Sequence, residues 1–122
     1  MRILRVTLTS AWLLILAAPV PAAEVTLTGE LVDQACYLKD KKTNTGVGHQ
    51  DCATRCAMKG DQVALVTDKG EVYAVTGEFT SDKNALLALH MSHRVVLTGE
   101  VVDKDGKKAI AATSLKMAPP RY

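Results

Sequence analysis

Two stretches of the chain alternate apolar and polar residues and then break phase at the same place. Residues 25–34 read VTLTGELVDQ and residues 95–104 read VVLTGEVVDK. In each the alternation runs up to a glycine, Gly29 or Gly99, after which two apolar residues stand side by side, Leu31-Val32 and Val101-Val102. A period of two marks a strand with one buried face. A slip of phase at glycine predicts a bulged, strongly bent strand that serves two sheets at a corner. Between the echoes, Val63–Thr67 and Val72–Thr76 are β-branched runs joined by Asp68-Lys69-Gly70, which predicts a hairpin with the glycine at positive φ. The period then changes to 3.6. Ser81 or Asp82 caps a helix to about Ser92, with Leu86, Leu89 and His93 on one stripe and Leu87 and Met91 beside it. After the second echo come a turn at Asp103–Gly106, a last strand near Ala109 to Met117, and a disordered tail over residues 118–122.

The segment from Cys36 to Cys56, CYLKDKKTNTGVGHQDCATRC, follows neither period for long. Its end carries helix signals: Asp51 as N-cap and Gly60 as the C′ residue predict about two turns over Cys52–Lys59. The order is therefore strand, cysteine-rich loop and helix, two strands, helix, two strands. That is a mainly β chain with two short helices. Five strands with a helix between the third and fourth is the order of the OB fold, a five-stranded Greek-key barrel, here as a single OB-like domain over residues 23–117. In that barrel the first strand pairs with the fourth, so the two echoes would lie side by side.

All three cysteines fall in the irregular segment. Cys52 and Cys56, four residues apart, share one helix face. His49 stands just before the cap on the same side, and Cys36, at the end of an apolar strand-like run, would meet them across the loop. Cys36, His49, Cys52 and Cys56 form a ligand set suited to zinc or, through the thiolates, to copper. A second arrangement is a disulfide from Cys36 to Cys52 or Cys56, closing a loop of roughly 15–20 residues and stabilising the fold by about 3 kcal/mol, with no cofactor and one thiol to spare. The chain would then bind a protein or small ligand on its barrel face. A third is thiol redox chemistry, although C-x-x-x-C is not the spacing of thioredoxin-like sites and no other catalytic constellation stands out, so the balance leans away from an enzyme. His90, Met91 and His93 suit the end of a helix and a core position better than a copper site. The Lys39–Lys42 run reads as a solvated loop.

The chain also resembles a family of small exported bacterial OB-like proteins. Their pattern is a strand with G-x-x-x-D-x-x-C, then H-x-x-C-x-x-x-C, a glycine, a hairpin, and a strand with V-x-[hydrophobic]-x-G. It is matched here at Gly29, Asp33 and Cys36, at His49, Cys52 and Cys56, at Gly60, and at Val95, Leu97 and Gly99. The resemblance implies the barrel and brings no activity with it.

The start of the chain changes the compositional picture. Arg2 and Arg5, an apolar run over Ala11–Val20, and Val20-Pro21-Ala22 predict a signal peptide over residues 1–22, cleaved to leave Ala23 or Glu24 first. The apolar run is short and broken by Pro19 and Pro21, so no membrane span is expected in the mature chain. Export to the periplasm or beyond puts the cysteines in an oxidising space. Without the leader, the net charge of +2 falls to zero and the single Trp, Trp12, is lost. A neutral domain with few aromatic residues argues against nucleic acid, and points to a metal ion, small ligand or protein as partner.

Overall fold

The computed structural model describes residues 16–17 and 23–119. The leader assigned to residues 1–22 and the last residues of the tail lie outside that range, apart from Leu16 and Ala17. Five strands close into a barrel: β1 (Glu24–Asp33), β2 (Val63–Thr67), β3 (Val72–Thr76), β4 (Arg94–Lys104) and β5 (Lys107–Met117). They follow one another round the barrel as β1-β2-β3-β5-β4, antiparallel except for β3 and β5, which run parallel. Strand β1 is the shared wall. Its first part pairs with β4 (Glu24↔Glu100 to Glu30↔Arg94) and its second with β2 (Gly29↔Thr67 to Asp33↔Val63), so the two echoes lie side by side.

Both echo glycines mark backbone crossings. A Cβ on Gly29 would sit 2.1 Å from the Val66 carbonyl oxygen, and one on Gly99 would sit 2.1 Å from that of Ala111. The register shift expected at both occurs at Thr98/Gly99, where β4 bulges against β5. At Gly29 the ladders to β2 and β4 keep register. There the phase slip has a different cause: Leu31 faces the barrel interior with Val63, Leu65, Val75, Val95, Leu97 and Ile110, whereas Val32 belongs to a second cluster with Tyr37 and Ala64. Two buried faces place two apolar residues in sequence.

The turns follow their residues. Gly70, at φ 82, closes the β2–β3 hairpin, with its N–H donating to the Thr67 carbonyl at 2.8 Å. Asp105 and Gly106, at φ 54 and 77, make the two-residue connection from β4 to β5, as type I′ turns require.

The helices depart most from expectation. The predicted strand run to Cys36 ends at Asp33, and a helix not foreseen, α1 (Gln34–Lys39), begins there. It covers the outside of β1 and β2 through Tyr37. The next, α2 (Gln50–Met58), starts two residues earlier than predicted, after a 3-10 turn over Val47–His49. His49 and not Asp51 occupies its N-cap, so Cys52 is the third helical residue. Its end is as expected: Gly60, at φ 91, donates to Ala57 O at 2.9 Å and Asp61 N–H donates to Cys56 O at 3.2 Å, a Schellman closure. The last helix, α3 (Ser81–Ala88), ends short of Ser92 and contains a left-handed turn at Asp82, Lys83 and Asn84. Its buried residues are Asn84, Leu87 and Ala88, with Met91 following, while Leu86 and Leu89 are exposed. The buried stripe is the one expected to lie beside the main one. Ala53 and Ala57 of α2 and Leu87, Ala88 and Met91 join the barrel interior in one core.

Candidate metal centre

Strand β1 delivers Asp33 to the site. Asp33 is two residues beyond Leu31, on the same strand parity, and is only 3% exposed. A buried carboxylate needs partners. Its first is the backbone: Asp33 is the N-cap of α1, and its Oδ1 accepts from Cys36 N–H at 2.9 Å. The cap fixes where α1 starts and so brings the Cys36 side chain round beside the carboxylate.

Helix α2 delivers the other thiols. Ala53 and Ala57 are its buried residues, and their packing sets how the helix is rotated against the core. Cys56 lies next to Ala57 and is half-buried, whereas Cys52, one turn earlier, is exposed. The Asp33, Cys36 and Cys56 ligand atoms all lie within 4.8 Å of one another, the one such group of three among the described residues. Cys52 and His49 are outside it. His49 holds the N-cap of α2, with a buried Nε2 that has no hydrogen-bond partner. All three cysteines are free thiols.

The electrostatics of this cluster are one-sided. Burial pushes the Cys56 thiol up to about 11, reinforced by the Asp33 carboxylate beside it and by the thiols of Cys52 and Cys36. Burial also raises Cys36, with Asp33 again the next cause and then Cys52, against a small opposing hydrogen bond from Cys56. No cationic side chain is among the largest causes of either shift. Burial and the neighbouring carboxylate both disfavour the thiolate forms of Cys36 and Cys56. A bound cation would reverse that balance.

The loop between α1 and α2 is tied back to α1 and β1. Asn44 Nδ2 donates to the Cys36 carbonyl at 2.6 Å, and Gly46 N–H donates to Glu30 of β1. Asp40 accepts from the Lys42 and Thr43 amides at 3.0 and 3.3 Å, and those bonds, that of Lys42 first, hold its carboxyl below the usual range. A separate groove of about 630 Å³ lies on the other side of α1, with Leu38, Val72, Ala74, Val102 and Ala109 among its lining residues and Lys104 and Lys107 beside them.

Asp33 is the site residue that metal-ligand reasoning about Cys and His passed over. Its signal was present in D-x-x-C: a capping carboxylate meets the amide three residues on, so a cysteine at that third position has its thiol beside the cap. The turn at His90–His93 makes no site with Met91, which is wholly buried in the core. Set against protein-family models, curated proteins and solved structures, the chain has no significant match.

Proposed function

We propose that this chain is a small exported OB-like binding protein that holds a metal ion through Asp33, Cys36 and Cys56, with Cys52 at the open side. The observation that carries this reading is the cluster of one carboxylate and two thiols within 4.8 Å. Two sulfurs and one oxygen suit zinc, which accepts mixed ligand sets, better than Cu(I), which prefers thiolates alone. The OB-like assignment draws support from the strand order β1-β2-β3-β5-β4, the parallel contact of β3 with β5, and the helix between β3 and β4. Export rests on the leader pattern of residues 1–22. No helix among the described residues is long and apolar enough to cross a membrane.

When bound, the ion supplies positive charge and a bond to each thiolate. The chain supplies the rest: the Asp33 cap orients Cys36, the packing of Ala53 and Ala57 orients Cys56, and Asn44 holds the loop to the Cys36 carbonyl. Zinc titrated into fully reduced protein should bind at one ion per chain and raise the melting temperature, and a chelator should reverse the rise. A melting curve indifferent to both zinc and chelator rules the reading out.

A second reading is favoured by the proximity of the Cys36 and Cys56 sulfurs within the same cluster. In an oxidising compartment these two are the pair positioned to form a disulfide, which would tie α1 to α2, leave Cys52 as the spare thiol and leave the lysine-rimmed groove as the ligand surface. Exported protein with one titratable thiol, no stoichiometric metal, and a melting temperature lowered by reductant alone identifies this second arrangement.

A further inference from the structure

We propose that Cys52 is the exchange ligand of the centre, capturing the incoming ion and handing over the outgoing one while Asp33, Cys36 and Cys56 hold it at rest. The inference rests on the metal reading above and adds a division of labour among the three cysteines. Asp33 is 3% exposed and Cys36 and Cys56 are half-buried, so an ion among them is screened from a bulky donor or acceptor. Cys52 is exposed, on the same helix as Cys56 and four residues before it, which puts both side chains on one face about 5–6 Å apart at Cβ. It is near enough to act electrostatically on both inner thiols yet outside the tight group of ligand atoms. A donor within reach of the site but facing solvent is where associative ligand exchange begins.

The step balances without redox change. Cys52 gives its proton to solvent, and its sulfur donates an electron pair to an ion still held by an exposed donor. The donor's ligand leaves with the pair it brought. The Cys36 and Cys56 thiols then lose their protons and, with Asp33, displace Cys52, which is reprotonated. Release runs the same steps backwards towards an acceptor bearing thiolate or imidazole ligands.

The test uses the reduced full chain with zinc alone, comparing wild type, Cys52→Ser and Cys36→Ser. Affinity is read by competition with a chromophoric chelator, and capture by stopped flow from zinc nitrilotriacetate. Cys52→Ser is expected to bind one zinc with affinity within about tenfold of wild type, while capture slows by more than that. Because the equilibrium constant for exchange with nitrilotriacetate is the ratio of the forward and reverse rate constants, release to excess nitrilotriacetate must slow as well. Unchanged rates overturn the inference. So does an affinity loss as large as that of Cys36→Ser, which would make Cys52 a resident ligand. Wild type that binds no zinc overturns the metal reading itself, and the inference with it.

Discussion

Asp33 serves three purposes with one carboxylate. It ends the inward-facing row of β1, caps α1, and lies against the Cys36 and Cys56 thiols. These roles separate by substitution. Asp33→Asn keeps the cap, since an amide oxygen accepts the Cys36 N–H as well as a carboxylate does, but removes the charge. It should therefore leave the metal-free melting temperature close to wild type and weaken zinc binding nearly as far as Cys36→Ser, measured by chelator competition. His49→Ala, outside the cluster, should weaken it much less. The raised thiols also set two pH dependences. Binding must remove a proton from each of Cys36 and Cys56, so zinc affinity should fall as pH falls across about pH 6–8, with close to two protons released per ion in weakly buffered dye titrations. For the metal-free reduced protein the sign is opposite. Cys56 is raised from 9.0 to about 11, so the folded chain keeps a proton that the unfolded chain has lost. That stability is complete below pH 9.0 and is lost as pH rises towards about 11. Urea midpoints should decline through that window, and less steeply in Cys56→Ser.

At the scale of elements, α2 is fastened at its C-terminal end, one turn from the Cys56 thiol. Its C-terminus closes through Gly60 and is fastened from α3 by Asn84, whose Nδ2 donates to Ala57 O and Asp61 O, both at 2.9 Å. Asn84 adopts φ 59 in the left-handed turn with Asp82 and Lys83, a conformation asparagine tolerates better than most residues. Asn84→Ala removes both bonds in a buried setting and should cost about 2–3 kcal/mol in chemical denaturation. It should also weaken zinc binding, because Cys56 rides on the loosened helix. The closing glycine of α2 was legible, since few residues other than glycine take positive φ. The start was not. Asp51 is a good cap by composition, but the 3-10 turn at Val47–His49 feeds directly into the helix and moves the cap to His49. Helix α1 was missed for a different reason: the strand-like run was carried on to Cys36, although Asp33 interrupts it with a cap.

For the whole molecule, the closed barrel depends on two places where backbones cross without a side chain between them. Gly29→Val and Gly99→Val each put a Cβ 2.1 Å from a carbonyl oxygen and add a branched side chain, so each should lower stability by more than about 2 kcal/mol. Unchanged denaturation midpoints in both would mean that the strands can part there at no cost. Export is tested on the same scale: the intact mass of exported protein should correspond to a chain beginning at Ala23 or Glu24.

The sequence by itself determined the strands and the hairpin turns, because a period of two and an Asp-Gly turn are set by neighbours a few residues away, and the order of those elements implied that the two echoes pair. It also confined the candidate chemistry to the segment from Cys36 to Cys56. Only the tertiary structure decided which of those groups meet. Whether Cys36 faces Asp33, Cys56 or solvent depends on where α1 begins and on how Ala53 and Ala57 rotate α2 against the core, and both follow from packing between elements distant in the chain. Spacing alone treats Cys52 and Cys56 as equivalent, one turn apart on one face. The barrel makes them different, because one end of that face is covered by β1 and α1 and the other opens to water.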